Sequence, residues 1–186
     1  YDAAKPRTRE EKDGEVHFYR HEIIGEKIAA GAAKRLKLSR KEIESLKKAV
    51  RFHLRPGHLG EAEKVTDRAV YRFFRQAGEE ALDVICMSWA DRLSARGEKI
   101  TRKIIADHKK LLKDMLKKCH EFKHRVEPVK LVTGYDVMKI LGLKPSPLVG
   151  EALEKIKELQ AMGEITGRAQ AIARLKEMKV KGIRHD

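Results

Sequence analysis

An all-α fold is predicted by three features of this 186-residue sequence. Almost every periodic segment places its apolar residues at helical spacing. Aromatic residues make up only 5% and there are 5 prolines, which argues against a β-sandwich or barrel. Ser, Thr, Gly and Pro fall where helices should start and stop. The chain opens Tyr1-Asp2-Ala3-Ala4-Lys5-Pro6, without methionine, and reads as a piece of something longer. Val16–Phe18 comes too soon to be a whole first element. Ile23, Ile24, Ile28, Ala32 and Leu36 then predict a helix of about sixteen residues from His21. Ser39-x-x-Glu42 is a capping box for the next, whose inner face carries Ile43, Leu46, Val50 and Leu54. Pro56–Gly57 should end it, and His58–Lys64 should be a loop. Thr66 can cap a helix carrying Ala69, Val70, Phe73 and Phe74 and closed near Gly78. Leu82, Ile85, Cys86, Trp89, Ala90 and Leu93 make the most apolar helix, which Arg96–Gly97 ends.

Thr101 opens a long helix with Ile104, Ile105, Leu111, Leu112, Met115, Leu116, Cys119 and Phe122 on one face. At ~1.5 Å per residue it spans about 33 Å and is a natural connector between two helical units. Its other face carries Lys103, Lys109, Lys110, Lys113, Lys117 and Lys118. Glu127–Pro128 reads as a hinge. Thr133 can cap a short helix with Val137, Ile140 and Leu141 on one face, and Gly142 is placed to stop it. Leu143–Lys144–Pro145 is extended, Ser146 is an N-cap and Pro147 the first residue of the next helix. Thr166 caps the last, and Lys179–Asp186 frays. Local chemistry leaves two roles open for the Lys144–Ser146 corner: a turn between packed helices, or an open helix N-terminus suited to a phosphate.

Charge narrows the partner. A net charge of +14 favours a polyanion, with nucleic acid ahead of an anionic membrane. No apolar run approaches the ~18 residues of a membrane span, and no signal peptide opens the chain. Cys86 and Cys119 form no CxxC pair; Cys86 should be core, and a reducing, cytoplasmic location fits. Lys47, Lys48, Arg51 and Arg55 lie on or beside the second helix. With the lysine face of Lys109, Lys110, Lys113 and Lys117, and with Lys144 and Ser146, they make the candidate RNA-binding set. Few aromatics are available for stacking, so recognition of structured RNA by shape and backbone is expected. His17 and His21 lie four apart, as do His120 and His124 beside Cys119, but such pairs are more often turned to solvent than metal-bound. The glycine loops and paired carboxylates of phosphoryl transfer are absent, so the chain alone should not transfer nucleotides by a two-metal route.

The stretch L-V-T-G-Y-D-V-M-K-I-L-G-L-K-P-S-P-L-V-G, from Leu131, resembles a late segment of bacterial tRNA nucleotidyltransferases and the related poly(A) polymerases. The following G-E-I, Ala169–Ala171 and Leu175 resemble that family's next helix. Residues 1–97 resemble the HD-superfamily helical domain, in which histidines and aspartates on neighbouring helices bind divalent metal for phosphohydrolysis. Its positions correspond to Asp2, His21, His53 and Asp91, but Tyr1 stands where a histidine ligand is expected. The resemblance therefore implies a degenerate remnant with no bound metal. It implies three parts: an N-terminally incomplete HD-like bundle over 1–97, a connector helix over 98–127 and a helical RNA-binding unit over 128–186. The parent would add CCA, CC, A or poly(A) to RNA 3′ ends using ATP or CTP and Mg²⁺, with its catalytic head before Tyr1. This chain would be the helical part that grips tRNA. An HD-type phosphohydrolase and a basic protein-binding scaffold are the alternatives.

Overall fold

The computed structural model describes residues 1–61, 64–96, 100–126 and 130–181. Helices dominate them: α1 (His21–Arg35), α2 (Arg40–Phe52), α3 (Arg55–Glu61), α4 (Asp67–Ala77), α5 (Ala81–Ser94), α6 (Arg102–Val126), α7 (Gly134–Leu141), α8 (Pro147–Ala161) and α9 (Arg168–Lys181). The chain divides into two compact units. The first holds residues 1–65 and 73–115, the second 66–72 and 116–186. The division runs through α4 and α6. The proposed stop at Gly97, the Glu127–Pro128 hinge and residues 182–186 of the fraying tail lie outside the described residues.

Among the described residues the fold is all-α as expected apart from one short sheet in the first unit. Arg9–Lys12 (β1) and Glu15–Phe18 (β2) pair antiparallel, with Arg9 opposite Phe18 and Lys12 opposite Glu15. Asp13 (φ 55°) and Gly14 (φ 76°) form the two-residue turn, the left-handed pair that the twist of a tight hairpin favours. Val16–Phe18 is therefore the second strand of a hairpin. β1 is exposed throughout, and only His17 and Phe18 of β2 are half-buried.

Helix α1 packs on α2 and on the turn at Lys5–Arg7. Its buried residues are His21, Gly25 and Ala33, whereas Ile24 and Leu36 are exposed. The predicted aliphatic stripe is thus replaced by small residues, because neighbouring backbone comes too close for larger ones. A Cβ on Gly25 would lie 3.2 Å from Val50 Cγ1 and 3.3 Å from the Tyr1 carbonyl oxygen. Gly25→Val should therefore force apart α1, α2 and the Tyr1 segment. Overpacking of this kind costs about 1–3 kcal/mol, to be read as a lower denaturation midpoint. A midpoint equal to wild type would show that the approach is not required.

The α2 capping box forms as predicted: Ser39 Oγ accepts from the Glu42 N–H, and Glu42 accepts from the Ser39 N–H. Pro56–Gly57 does not open a loop. Proline near a first helical turn loses no hydrogen bond, and α3 starts at Arg55 with Pro56 buried. α5 is rotated from its predicted orientation. Ala81, Val84, Ile85 and Ser88 face inward, while Leu82, Cys86 and Leu93 are exposed. Cys86 is therefore not a core residue. With Phe73, Ala77, Leu112 and Met115, the inward face of α5 supplies the main buried apolar residues of this unit.

In the second unit, α7, α8 and α9 pack on one another around Leu131, Val137, Leu141, Val149, Ile156, Leu159 and Leu175. Thr133 caps α7 through a full box with Asp136. Gly142 ends it at φ 72°, and the N–H groups of Gly142 and Leu143 both donate to the Met138 carbonyl. α9 begins at Arg168, two residues after the predicted Thr166 cap. The Gln170 side chain accepts from the N–H groups of Thr166 and Gly167 instead. Arg168 joins α9 to α7, donating to the Leu131 carbonyl at 3.0 Å and to Asp136 at 2.6 Å. That guanidinium, with the Thr133 N–H and hydroxyl, holds the Asp136 carboxyl far below its ordinary range. No described helix is long and apolar enough to cross a membrane.

Candidate functional site

Two features of the first unit carry chemistry. The earlier is a buried cluster. His21 opens α1, and His53 sits at the C-terminal cap of α2. Both are almost fully buried. His21 Nδ1 lies 2.7 Å from the Phe18 carbonyl, and His53 Nδ1 lies 2.7 Å from the Val50 carbonyl. A carbonyl can only accept, so each Nδ1 carries the proton and each Nε2 presents a lone pair. The two Nε2 atoms are 3.3 Å apart. Asp2 Oδ1 lies 3.4 Å from one and 3.6 Å from the other. It is buried and makes no hydrogen bond among the described residues, while Oδ2 accepts from Lys5 at 2.8 Å. Burial pushes the His53 imidazole below its ordinary range, which keeps it neutral.

Asp91, the fourth residue of the implied HD set, is engaged elsewhere. Tyr1 donates its phenol to Asp91 Oδ1 at 2.5 Å. That bond, with lesser help from burial and the carboxylates, pushes the Tyr1 phenol up to about 12. It stays protonated near neutrality and serves as the donor to Asp91. The structure thus brings together Asp2, His21 and His53, which could hold a cation, and ties Asp91 to Tyr1. The expectation of no metal rested on Tyr1 occupying a ligand position. Tyr1 instead lies beside the cluster, its ring 4.7 Å from that of His53.

A third buried histidine belongs to none of the sequence motifs. His108, on α6, is 7% exposed, and its Nε2 is 3.1 Å from Ser88 Oγ. Its position on the apolar face of the long helix was the available signal. Burial and then the Arg92 charge push it below its ordinary range. The unfolded imidazole, near pH 6.5, takes a proton that the folded one refuses, so the stabilisation is present above about pH 6.5 and is lost as pH falls. His108→Gln should flatten the fall in urea midpoint between about pH 7.5 and about pH 5.5, His53 supplying the remainder. An unchanged pH slope would remove His108 from the account.

The basic residues separate by their partners. Lys47 pairs with Glu44 at 3.0 Å and approaches Glu26 at 3.9 Å, and Arg51 reaches Glu26 at 4.0 Å. Burial alone would raise the Glu80 carboxyl, but Lys48 at 3.0 Å, the Glu80 backbone N–H and Ser45 together hold it low. Arg55 donates to Gln76 at 3.0 Å. On α6, Lys109 lies over the Trp89 ring, and Lys118 pairs with Asp67. Lys110, Lys113 and Lys117 are exposed and make no ion pair among the described residues. In the second unit Lys144 is exposed, and Ser146 occupies the N-cap of α8 without a side-chain cap bond. Pro147 is the first helical residue, as predicted.

Residues 21–176 match the family described as "tRNA nucleotidyltransferase domain 2 putative". The chain belongs to this family. It is similar to the CC-adding tRNA nucleotidyltransferase of Thermus thermophilus, 31% identical over 176 residues that make up 93% of this chain and 37% of the relative. The A-adding tRNA nucleotidyltransferase of Deinococcus radiodurans is 29% identical over 168 residues, 89% of this chain and 37% of the relative. A CC-adding tRNA nucleotidyltransferase of Synechocystis is 28% identical over 152 residues, 82% of this chain and 33% of the relative. The chain thus spans about a third of the length of these proteins. No solved structure matches it.

Proposed function

We propose that this chain is the tRNA-binding region of a protein that adds nucleotides to tRNA 3′ ends, and that it holds the RNA by its phosphates. The observation that carries this reading is the row Lys110, Lys113 and Lys117 on α6, exposed and without carboxylate partners among the described residues. Ammonium groups already neutralised by carboxylates, such as Lys47 and Lys48, attract phosphate less, so α6 is favoured over α2 as the contact face. The family membership and the net charge of +14 support the same partner. Nucleotide addition, with Mg²⁺ and ATP or CTP, belongs in this reading to a catalytic head in the parent protein. A cytoplasmic location follows from the tRNA partner.

A titration of tRNA against salt tests the binding. Each phosphate neutralised contributes about −0.7 to −0.9 to the slope of log affinity on log salt. A steep fall between roughly 50 and 200 mM is expected, and an affinity indifferent to salt would reject the phosphate account. Incorporation of labelled ATP or CTP into tRNA by this chain alone would overturn the assignment of catalysis to a separate head.

A further inference from the structure

Helix α5 turns an apolar seam outward. Leu82 is 58% exposed and Leu93 47%, Cys86 between them is exposed, and Trp89 is half-buried. Steps of four, three and four residues put these side chains in one line, the repeat of a helix that packs lengthwise on another helix. The face made by Ala81, Val84, Ile85 and Ser88 already serves this unit's core. α5 is therefore apolar on two sides, and a helix that only covers a core needs one. The outward line runs into opposite charges at its two ends. Glu79 stands three residues before Leu82, and Arg96 three residues after Leu93, both exposed. Among the described residues Glu79 meets Lys41 at 3.9 Å, an exposed pair of little worth, and Arg96 donates to the carbonyls of Leu93 and Ala95.

This line is complementary to itself. Turned end for end about a two-fold axis level with Met87 and Ser88, it sets Leu82 opposite Leu93, Cys86 opposite Trp89 and Glu79 opposite Arg96. A parallel copy would set Glu79 against Glu79 and Arg96 against Arg96, which like charges oppose. We propose that two copies of this chain associate through α5, antiparallel, with the apolar seams in contact and an ion pair closing each end. A single helix seam lies at the low end of interface size, so the association is micromolar and reversible. The charge of +14 on each copy opposes it at low ionic strength, and salt near 0.15 M, with a Debye length of about 8 Å, screens that repulsion.

The test is sedimentation velocity of the chain from about 1 to about 200 μM at about 0.15 M salt, where a monomer should pass reversibly to a dimer. Leu82→Asp should stay monomeric over that range with an unchanged thermal midpoint, because the side chain is exposed and an aspartate suits a first helical turn. Should that variant fail to fold, Glu79→Arg and Arg96→Glu decide, since both positions are exposed. Each alone disrupts two symmetry-related pairs and should weaken the dimer about tenfold. The two together in one chain should restore it, because the charges are then reversed across the axis. With Cys119→Ser as background, a short bismaleimide should join Cys86 to the partner's Cys86 when Leu82 is present and fail to do so in Leu82→Asp. A monomer at every concentration, a dimer indifferent to Leu82→Asp, or a double variant no tighter than either single one would each overturn the proposal. The seam shares no residue with the Lys110, Lys113 and Lys117 row, and no tRNA enters the measurement, so its outcome is independent of the phosphate-binding account.

Discussion

Replacing Lys110, Lys113 and Lys117 together by Glu should reduce tRNA affinity more than any other surface change in this chain. Counterion release makes each phosphate contact worth about five- to eightfold at 0.1 M salt, so losing three costs about a hundredfold to five-hundredfold. The salt slope should flatten by about one for each contact removed. The loss should be equal for tRNAs of different sequence, because phosphates carry no base identity. All three side chains are exposed, so the thermal midpoint should scarcely move. The same reversal at Lys47 and Lys48 should weaken binding less and destabilise the fold more, because it breaks the pairs with Glu44 and Glu80. Unchanged affinity in the α6 variant would move the contact to Lys144 or α2 and leave α6 as a connector.

Phe73→Ala should be the most destabilising single change in the first unit. Phe73 is fully buried, with its ring edge-on to Phe74 at 5.1 Å. Truncation removes the ring's transfer free energy and leaves a cavity, at a cost of about 3–5 kcal/mol. That is a large share of a total stability of about 5–15 kcal/mol. In a chain of this size it should lower the thermal midpoint by about 10 °C. Phe73→Leu fills most of the space and should recover much of the loss. A shift within about 1 °C for Phe73→Ala would mean that the site collapses around the gap.

Local signals in the sequence were legible where the determining residues lie within one turn of each other. The boxes at Ser39 and Thr133, the Gly142 stop and Pro147 at the start of α8 are all of this kind. Facing was less legible, because it depends on what packs opposite. Leu82 and Leu93 look like core in a periodic pattern, yet α5 turns Val84 and Ser88 inward. On α1, periodicity favours Ile24 where close backbone selects Gly25. The hairpin did carry a signal in Asp13–Gly14 and in the alternation of Glu15-Val16-His17-Phe18, but β1 is charged and exposed throughout. The cluster of Asp2, His21 and His53 joins positions far apart in sequence. Only the HD resemblance pointed to it, and nothing local pointed to Tyr1 taking Asp91. The carboxylate partners of Lys48 and Arg51 are non-local in the same way, so composition could not separate a paired base from a free one.

The hairpin also makes part of this chain adjustable. Its two strands close on each other, so residues added at the Asp13–Gly14 tip leave the positions of Arg9 and Phe18 unaltered. Phe18 is the position that has to stay fixed, since its carbonyl orients the His21 ring. A fluorophore-bearing peptide or a second small domain could be grafted at the tip while the imidazole a few residues away keeps its aim, giving the molecule an attachment point on its exposed side.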